Sequence, residues 1–279
     1  MTPGGYAAAA LPSAMFDPAS LPANLRWSTD GSMVRFEEAS LNAAQPAEQV
    51  LYDGWLVRFS SGKAKRARSI NAIAPGRVPL AEKLAQCAFW YGQAQLPLLV
   101  RITPFSQPPD LDEQLARAGF AAFEDTRVMA APLDRIPTVA DRQLVTRAVD
   151  AVQFARLIGT LRASPAEHIE SHARRMSLSP LVAQRLVAFE DEAPVAAGQV
   201  IYDADGLAGL YDIVTAPQYR GRGLGGRLTR LLLQAARAHA RTAYLQVEAT
   251  NAPARRIYEQ LGFVDQYAYW YRCAVHAQP

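Results

Sequence analysis

The residues best placed to do chemistry fall in one stretch, residues 210–227 (LYDIVTAPQYRGRGLGGR). Gly221, Gly223, Gly225 and Gly226 sit between a strand-like apolar run and an amphipathic one. Glycines let a backbone approach a ligand with consecutive N–H groups pointing outward. A helix N-terminus adds about half a positive charge, so such a loop suits an anion. Arg220, Arg222 and Arg227 add guanidinium forks of the same sign. Gly221 to Gly226 satisfies G-x-G-x-x-G, the fingerprint of a dinucleotide fold, but that pattern alone is weak. No second strand–helix–strand unit supports it, and only Glu248 could serve as the acidic residue after the next strand. The chain has no Gly-Lys-Ser/Thr, which excludes a P-loop.

The elements that must position this loop can be read from periodicity. Leu224, Leu228, Leu231, Leu232 and Ala235 recur at helical spacing, which predicts a helix over residues 221–240. Before it come helices at 150–161 and 168–176 and strands at 184–189, 195–202 and 207–214, with turns at 190–192 and 203–206. After it come a short strand at 244–247, a helix begun by Pro253 and stopped by Gly262, and a closing strand region at 263–272. The order is α/β, and the strand–helix–strand step over 207–247 predicts a parallel crossover.

The first half echoes this more weakly. A hairpin of 52–59 with 65–73 turning at 60–62, a helix at 80–91, a strand at 98–102, a helix at 111–118 and a strand region at 120–129 are expected. Glu-Gln-Leu followed by Gly-Phe occurs twice, and aligning Gly119-Phe120 with Gly262-Phe263 gives an offset of 143 residues. This reads as a diverged internal duplication. The Pro-punctuated junction at 131–142 divides the chain into a loose tail (1–20), a degenerate first domain (21–136) and a catalytic second domain (137–279).

Read with a different spacing, Arg220-x-x-Gly223-x-Gly225 resembles the Q/R-x-x-G-x-G/A signature of the GNAT superfamily of N-acetyltransferases. The preceding Val214-Thr-Ala-Pro217 and the later block from Asn251 through Ala254, Ile257 and Tyr258 to Gly262-Phe263 resemble the same family in the same order. The likeness covers residues 140–273, about half the chain. Residues 52–56 and 66–71 resemble a two-domain bacterial branch of that superfamily. The resemblance implies a mixed central sheet with flanking helices, twice in tandem, and acetyl-CoA as co-substrate held between two splayed strands, 210–214 and 244–247. It implies main-chain groups of Ile213, Val214 and Thr215 on the pantetheine arm, N–H groups of Arg222, Gly223, Leu224, Gly225 and Gly226 on the pyrophosphate, and Asn251 on the pantetheine or thiol end. Tyr258 would stand near the CoA sulfur as proton donor to the thiolate.

Acetyl transfer to an amine sets three requirements. The amine must lose a proton, since with a pKa near ~10.4 only about 10⁻³ of it is neutral at pH 7. The oxyanion needs a donor, for which a backbone N–H at 213–214 serves, and the thiolate needs an acid. Asp212 and Glu248 are the carboxylates nearest in sequence for the base, acting through water. Proximity with solvent as proton acceptor is the other route. Plainer roles exist for each residue: Tyr258 shares the apolar stripe of Ala254, Ile257 and Leu261, Asn251 can cap a helix, Asp212 can be a sheet-edge carboxylate, and Arg227 and Arg230 can be a solvated helix face.

The duplication places Leu115 where Tyr258 stands, and Leu80 and Glu82 where Gly223 and Gly225 stand. The first half is therefore expected to bind no CoA in this manner and to wall the acceptor site or cover a sheet edge. The basic run Lys63, Lys65, Arg66, Arg68 reads as a solvated hairpin with its charges split between two faces, with a contact to an anionic acceptor or a nucleic acid as the alternative.

The bulk properties agree. Of 279 residues half are hydrophobic and 20% charged, which excludes wholesale disorder. A net charge of +3 argues for no nucleic-acid partner, two cysteines and four scattered histidines build no metal site, and no apolar run reaches the ~18 residues of a membrane span. The expected setting is cytoplasmic. The expected partner is a small-molecule or protein amine, with a homodimer also compatible. The competing function is a non-catalytic acyl-CoA-binding sensor.

Overall fold

The computed structural model describes residues 15–26, 31–62, 64–137 and 144–274. Residues 1–14 of the expected tail (1–20), Lys63 of the basic run and the junction residues 138–143 lie outside the described residues. Residues 15–20 are not loose, since Met15 bridges to Phe123, Phe16 N–H donates to the Ala122 carbonyl and Pro18 is buried. The first half runs α1 (Ala23–Arg26), α2 (Val34–Ala43), β1 (Glu48–Tyr52), β2 (Trp55–Phe59), β3 (Ile70–Ala72), α3 (Leu80–Gln93), β4 (Leu99–Ile102), α4 (Leu111–Arg117) and β5 (Phe120–Pro132). The second runs β6 (Val145–Ala148), α5 (Ala151–Leu161), α6 (Ala166–Leu178), β7 (Ala183–Glu190), β8 (Ala193–Tyr202), β9 (Leu207–Thr215), α7 (Leu224–Ala236), β10 (Thr242–Glu248), α8 (Ala252–Gln260) and β11 (Val264–Ala274).

All strands join one mixed sheet in the order β1-β2-β3-β4-β11-β5-β10-β9-β8-β7-β6. Its centre holds an exchange. β11, late in the chain, pairs antiparallel with β4, and β5, from the first half, pairs antiparallel with β10. The two exchanged strands also pair with each other along nearly their whole length. Each thus covers a backbone edge that the other half would leave open. Asp112 of α4 holds β11 there, accepting hydrogen bonds from Arg272 Nε (2.6 Å), Arg272 Nη2 (2.8 Å) and Trp270 Nε1 (2.8 Å).

The αβαβ series α3-β4-α4-β5 and α7-β10-α8-β11 start at residues 80, 99, 111, 120 and 224, 242, 252, 264, so the offsets are 144, 143, 141 and 144. Parallel pairing accompanies both: β3 with β4, and β9 with β10 across the α7 crossover.

Two expectations in the first half are corrected. Residues 52–59 are not one strand, because Asp53 (φ 43°) and Gly54 (φ 83°) turn β1 into β2, and two successive positive φ values are what a tight two-residue hairpin requires. Residues 65–68 form a 3₁₀ turn rather than a strand, so their charges do not alternate between faces. Lys65 pairs with Glu124, and Arg66 donates to the Tyr269 hydroxyl at 3.1 Å and lies over the Tyr211 ring. Lys65 and Arg66 therefore turn inward.

An ion pair is buried where the halves meet. Arg101 of β4, its side chain fully buried, makes a two-pronged contact with Glu37 of α2 and stacks 3.8 Å over the Tyr269 ring, while Tyr267 of β11 donates to the same carboxylate. Burial pushes the Glu37 carboxyl upward, but the charge and hydrogen bonds of Arg101 and Tyr267 outweigh it and leave the group below its ordinary value. On the opposite sheet face Leu228 and Leu232 of α7 are fully buried against Val195 and Val200, each worth roughly 1.5–3 kcal/mol of burial. α5 closes on α6 at Gly159, where a Cβ would lie 2.4 Å from Ile169 Cγ1.

Candidate acyl-transfer site

β9 and β10 begin as a parallel pair, from Leu207 opposite Thr242 to Leu210 opposite Leu245, and then part. β10 stays with β5 as far as Glu248, and β9 stays with β8 as far as Thr215. The cause lies in β9. Asp212 takes φ 56°, and residues 212 and 213 together face Gly198, a β-bulge. Gly198 lets the side chains pack closely there, since a Cβ would lie 2.5 Å from Ile213 Cδ1 and 3.0 Å from Leu232 Cδ1, which would both have to shift. Past the bulge, the β9 edge facing β10 has no strand partner, so main-chain groups of Ile213, Val214 and Thr215 can pair with an extended ligand.

The loop after β9 ends at the start of α7. Gly221 (φ 78°) and Gly223 (φ 74°) hold left-handed conformations with open space where a side chain would project. Gly223 is the N-cap residue and no side chain caps the helix; its first internal bond is Arg227 N–H to the Gly223 carbonyl at 3.1 Å. The N–H groups of Leu224, Gly225 and Gly226 therefore have no partner within the helix and converge at its positive end. Gly225 and Gly226 also permit close packing: a Cβ on either would lie 3.3 Å from Thr215 Oγ1 or Ile257 Cγ2, respectively. Arg220 reaches back to the Thr215 carbonyl (3.4 Å), and Arg222 pairs with Glu190 (2.8 Å).

A parted parallel strand pair followed by an uncapped, glycine-flanked helix invites comparison with known acyltransferases. Residues 160–263 match the model of the acetyltransferase (GNAT) family. The chain contains a GNAT domain. An uncharacterized N-acetyltransferase YobR of Bacillus subtilis (strain 168) is 26% identical over 223 residues, 75% of this chain and 85% of the relative. A mycothiol acetyltransferase of Corynebacterium glutamicum (strain R) is 52% identical over 58 residues, only 20% of either chain. Among solved structures, a GCN5-related N-acetyltransferase from Kribbella flavida superposes with a TM-score of 0.66 at 17% identity, over 89% of this chain and 97% of its own. A tandem GNAT protein from the clavulanic acid biosynthesis pathway, solved without AcCoA, gives 0.53 at 17% identity, over 75% of this chain and 76% of its own. These likenesses show a tandem GNAT fold.

Within the GNAT domain the parted strands open on a cleft of about 740 Å³. Asp212, Ile213, Glu248, Asn251 and Tyr258 all line it; Val214, Thr215 and residues 220–226 do not, and form the strand edge and helix start instead. Tyr258, 8% exposed, packs edge-on to Phe263 with centroids 6.0 Å apart. Its hydroxyl bonds to no described residue, and burial raises the phenol to about 12, so it keeps its proton at neutral pH. Asn251 caps α8, accepting from Ala254 N–H at 3.3 Å, which leaves its amide nitrogen available as a donor.

The three carboxylates of the cleft differ. Burial raises Asp212, but Arg162 at 2.9 Å and the Gln199 amide at 2.8 Å, joined by His172 once acid protonates it, bring it below its ordinary value. Glu248 is exposed at the end of β10. Glu124, on the exchanged strand β5, is raised first by burial and further by Glu248, although its pairing with Lys65 pulls the other way. Sequence reasoning missed Glu124, because only the strand exchange brings it here. It also missed Arg175, although His168, His172 and Arg175 stand at i, i+4 and i+7 on α6, a spacing that marks one helix face, and all three line the cleft.

Proposed function

We propose that this chain transfers the acetyl group of acetyl-CoA to a primary amine by direct attack. The observation that carries the reading is the parting of β9 and β10 in front of an uncapped helix N-terminus, a backbone-lined slot with a phosphate-binding end. The YobR relative, named an N-acetyltransferase, supports the same reaction class.

In balanced form, an ammonium first loses one proton. The neutral nitrogen then attacks the thioester carbonyl, the N–C bond forms and the C–S bond breaks. The nitrogen gives up a second proton while the sulfur leaves with the bonding pair and takes one, so one proton is released overall. Backbone N–H groups on the free edge at 213–214 face the developing oxyanion, a role worth several kcal/mol in sites of this kind. Tyr258 donates its hydroxyl to the departing sulfur. The proton from the amine passes to Glu124, whose carboxyl is raised first by burial and further by the neighbouring Glu248, whereas Asp212 is committed to holding Arg162.

Tyr258→Phe keeps the ring and removes the donor. It is expected to lower kcat about 10²-fold with CoA affinity unchanged, in steady-state thiol release beside calorimetric titration. A variant with wild-type kcat defeats the assignment, and a wild-type protein that binds CoA without turnover points to a sensor. The base assignment predicts an acid limb in the pH–rate profile shifted upward from that of an ordinary glutamate, because burial raises Glu124. Glu124→Gln should lower kcat/KM roughly tenfold and move that limb downward. An unmoved limb removes Glu124 from the mechanism.

A further inference from the structure

We infer that the acceptor is a small amine carrying its own anionic group, a carboxylate or phosphate, held by Arg175 and Arg185 of the cleft lining. This rests on the acetyl-transfer reading and narrows it to a substrate class. Four arginines line the cleft, and one of them, Arg162, is already paired with Asp212. Arg66, Arg175 and Arg185 have no carboxylate within salt-bridge distance among the described residues. Arg175 donates only to Ser171 Oγ (2.6 Å) and is wedged beside the first half, since a Cβ at Gly62 would lie 3.1 Å from its Nη2. Arg185 makes no side-chain hydrogen bond to any described residue, and its Nε is buried without a partner.

Register brings the complementary group to Arg185. On the sheet Arg185 of β7 stands directly opposite Gln199 of β8. The Gln199 amide nitrogen is spent on Asp212, which leaves Oε1 buried and without a donor. Unmatched guanidiniums beside an unmatched acceptor suit a ligand bearing both an anion and N–H groups. His172 sits among these charges, close enough to feel Asp212, Arg175, Arg162 and Arg185 together, and burial with the arginines holds it below its ordinary value, so it adds little positive charge of its own near neutrality. A polycationic amine would meet these guanidiniums with like charge.

The experiment compares matched amines with the intact protein and acetyl-CoA: α-amino acids against their amides, and phosphoethanolamine against ethanolamine. The expected result is a kcat/KM at least 10²-fold higher for the anionic member of one pair, which also distinguishes carboxylate from phosphate. Arg185→Met should erase that preference through KM, leave the neutral member and CoA affinity unchanged, and be partly rescued in Arg185→Lys. Equal or faster reaction of neutral amines or of spermidine overturns the proposal while leaving acetyl transfer standing. Should nothing turn over, calorimetric titration of the CoA-loaded protein with the same compounds decides: no binding of the anionic members overturns it as well. Absence of CoA binding instead strikes the underlying reading.

Discussion

Replacing Gly223 by Val is expected to weaken CoA binding about 10³-fold while leaving the fold intact. Gly223 holds φ 74° at the start of α7, and a β-branched residue does not adopt that conformation without strain. The chain must re-form the turn, and the N–H groups of residues 224–226 then no longer converge. Hydrogen bonds to a charged group contribute about 1.5–3 kcal/mol each, so losing two of them removes roughly 4 kcal/mol, or three decades of affinity. The side chain meets nothing within 4 Å, so the loss comes from the turn and not from a disturbed core. Gly206 provides the control, with φ 73° and equally open surroundings in the β8–β9 hairpin; Gly206→Val should strain its own turn without touching CoA affinity. Calorimetry with CoA, beside far-UV circular dichroism, reads both variants. Wild-type affinity in the Gly223→Val protein would falsify the phosphate-cradle assignment.

Arg101→Leu should destabilise the protein by about 3–5 kcal/mol, because it leaves Glu37 buried without its counter-charge. For a chain of this size that lowers the melting temperature by on the order of 10 °C. The pH dependence gives a second signature. The Glu37 carboxyl is lower in the folded state than its unfolded value near ~4.3, so its stabilisation is complete above that pH and is lost as pH falls through the lower folded value. In Arg101→Leu this sign reverses, since an unpaired buried carboxyl is raised and the variant gains stability on acidification from neutral pH. The double variant Arg101→Leu, Glu37→Leu should recover most of the loss, because a buried pair replaced by apolar groups is often neutral. Thermal unfolding between pH 3 and pH 7.5 tests all three, and an Arg101→Leu melting curve matching wild type would show that the pair contributes nothing.

The second half of the chain was largely legible, since its chemistry sits in local pattern. Gly221 to Gly226, the stripe from Leu224 to Ala235 and the Pro253–Gly262 bracket each specify a turn, a helix and its ends with residues close in sequence. The parting of β9 from β10 was expected only through family resemblance, because its physical origin, a bulge at Asp212 opposite Gly198, pairs two strands whose register no local pattern reveals. In the first half, reading 52–59 as continuous overlooked Asp53-Gly54, a hairpin signal in plain view, and α2 carried too weak an apolar stripe to stand out. Glu124 and Arg66 were out of reach for another reason. They enter the cleft from the first half, Glu124 through strand exchange and Arg66 from a turn stacked on Tyr211, contacts spanning most of the chain.

That exchange has a consequence for how the protein is made. While the ribosome is still adding residues beyond 132, the first half has β4 in place but lacks the neighbour that β11 supplies. The nascent first half therefore waits with an open flank until residues 264–274 emerge, and closure of both halves becomes one event. A message cut short before codon 264 leaves β4 and β5 each with an open backbone edge at the middle of the sheet, the kind of edge that invites pairing with other chains.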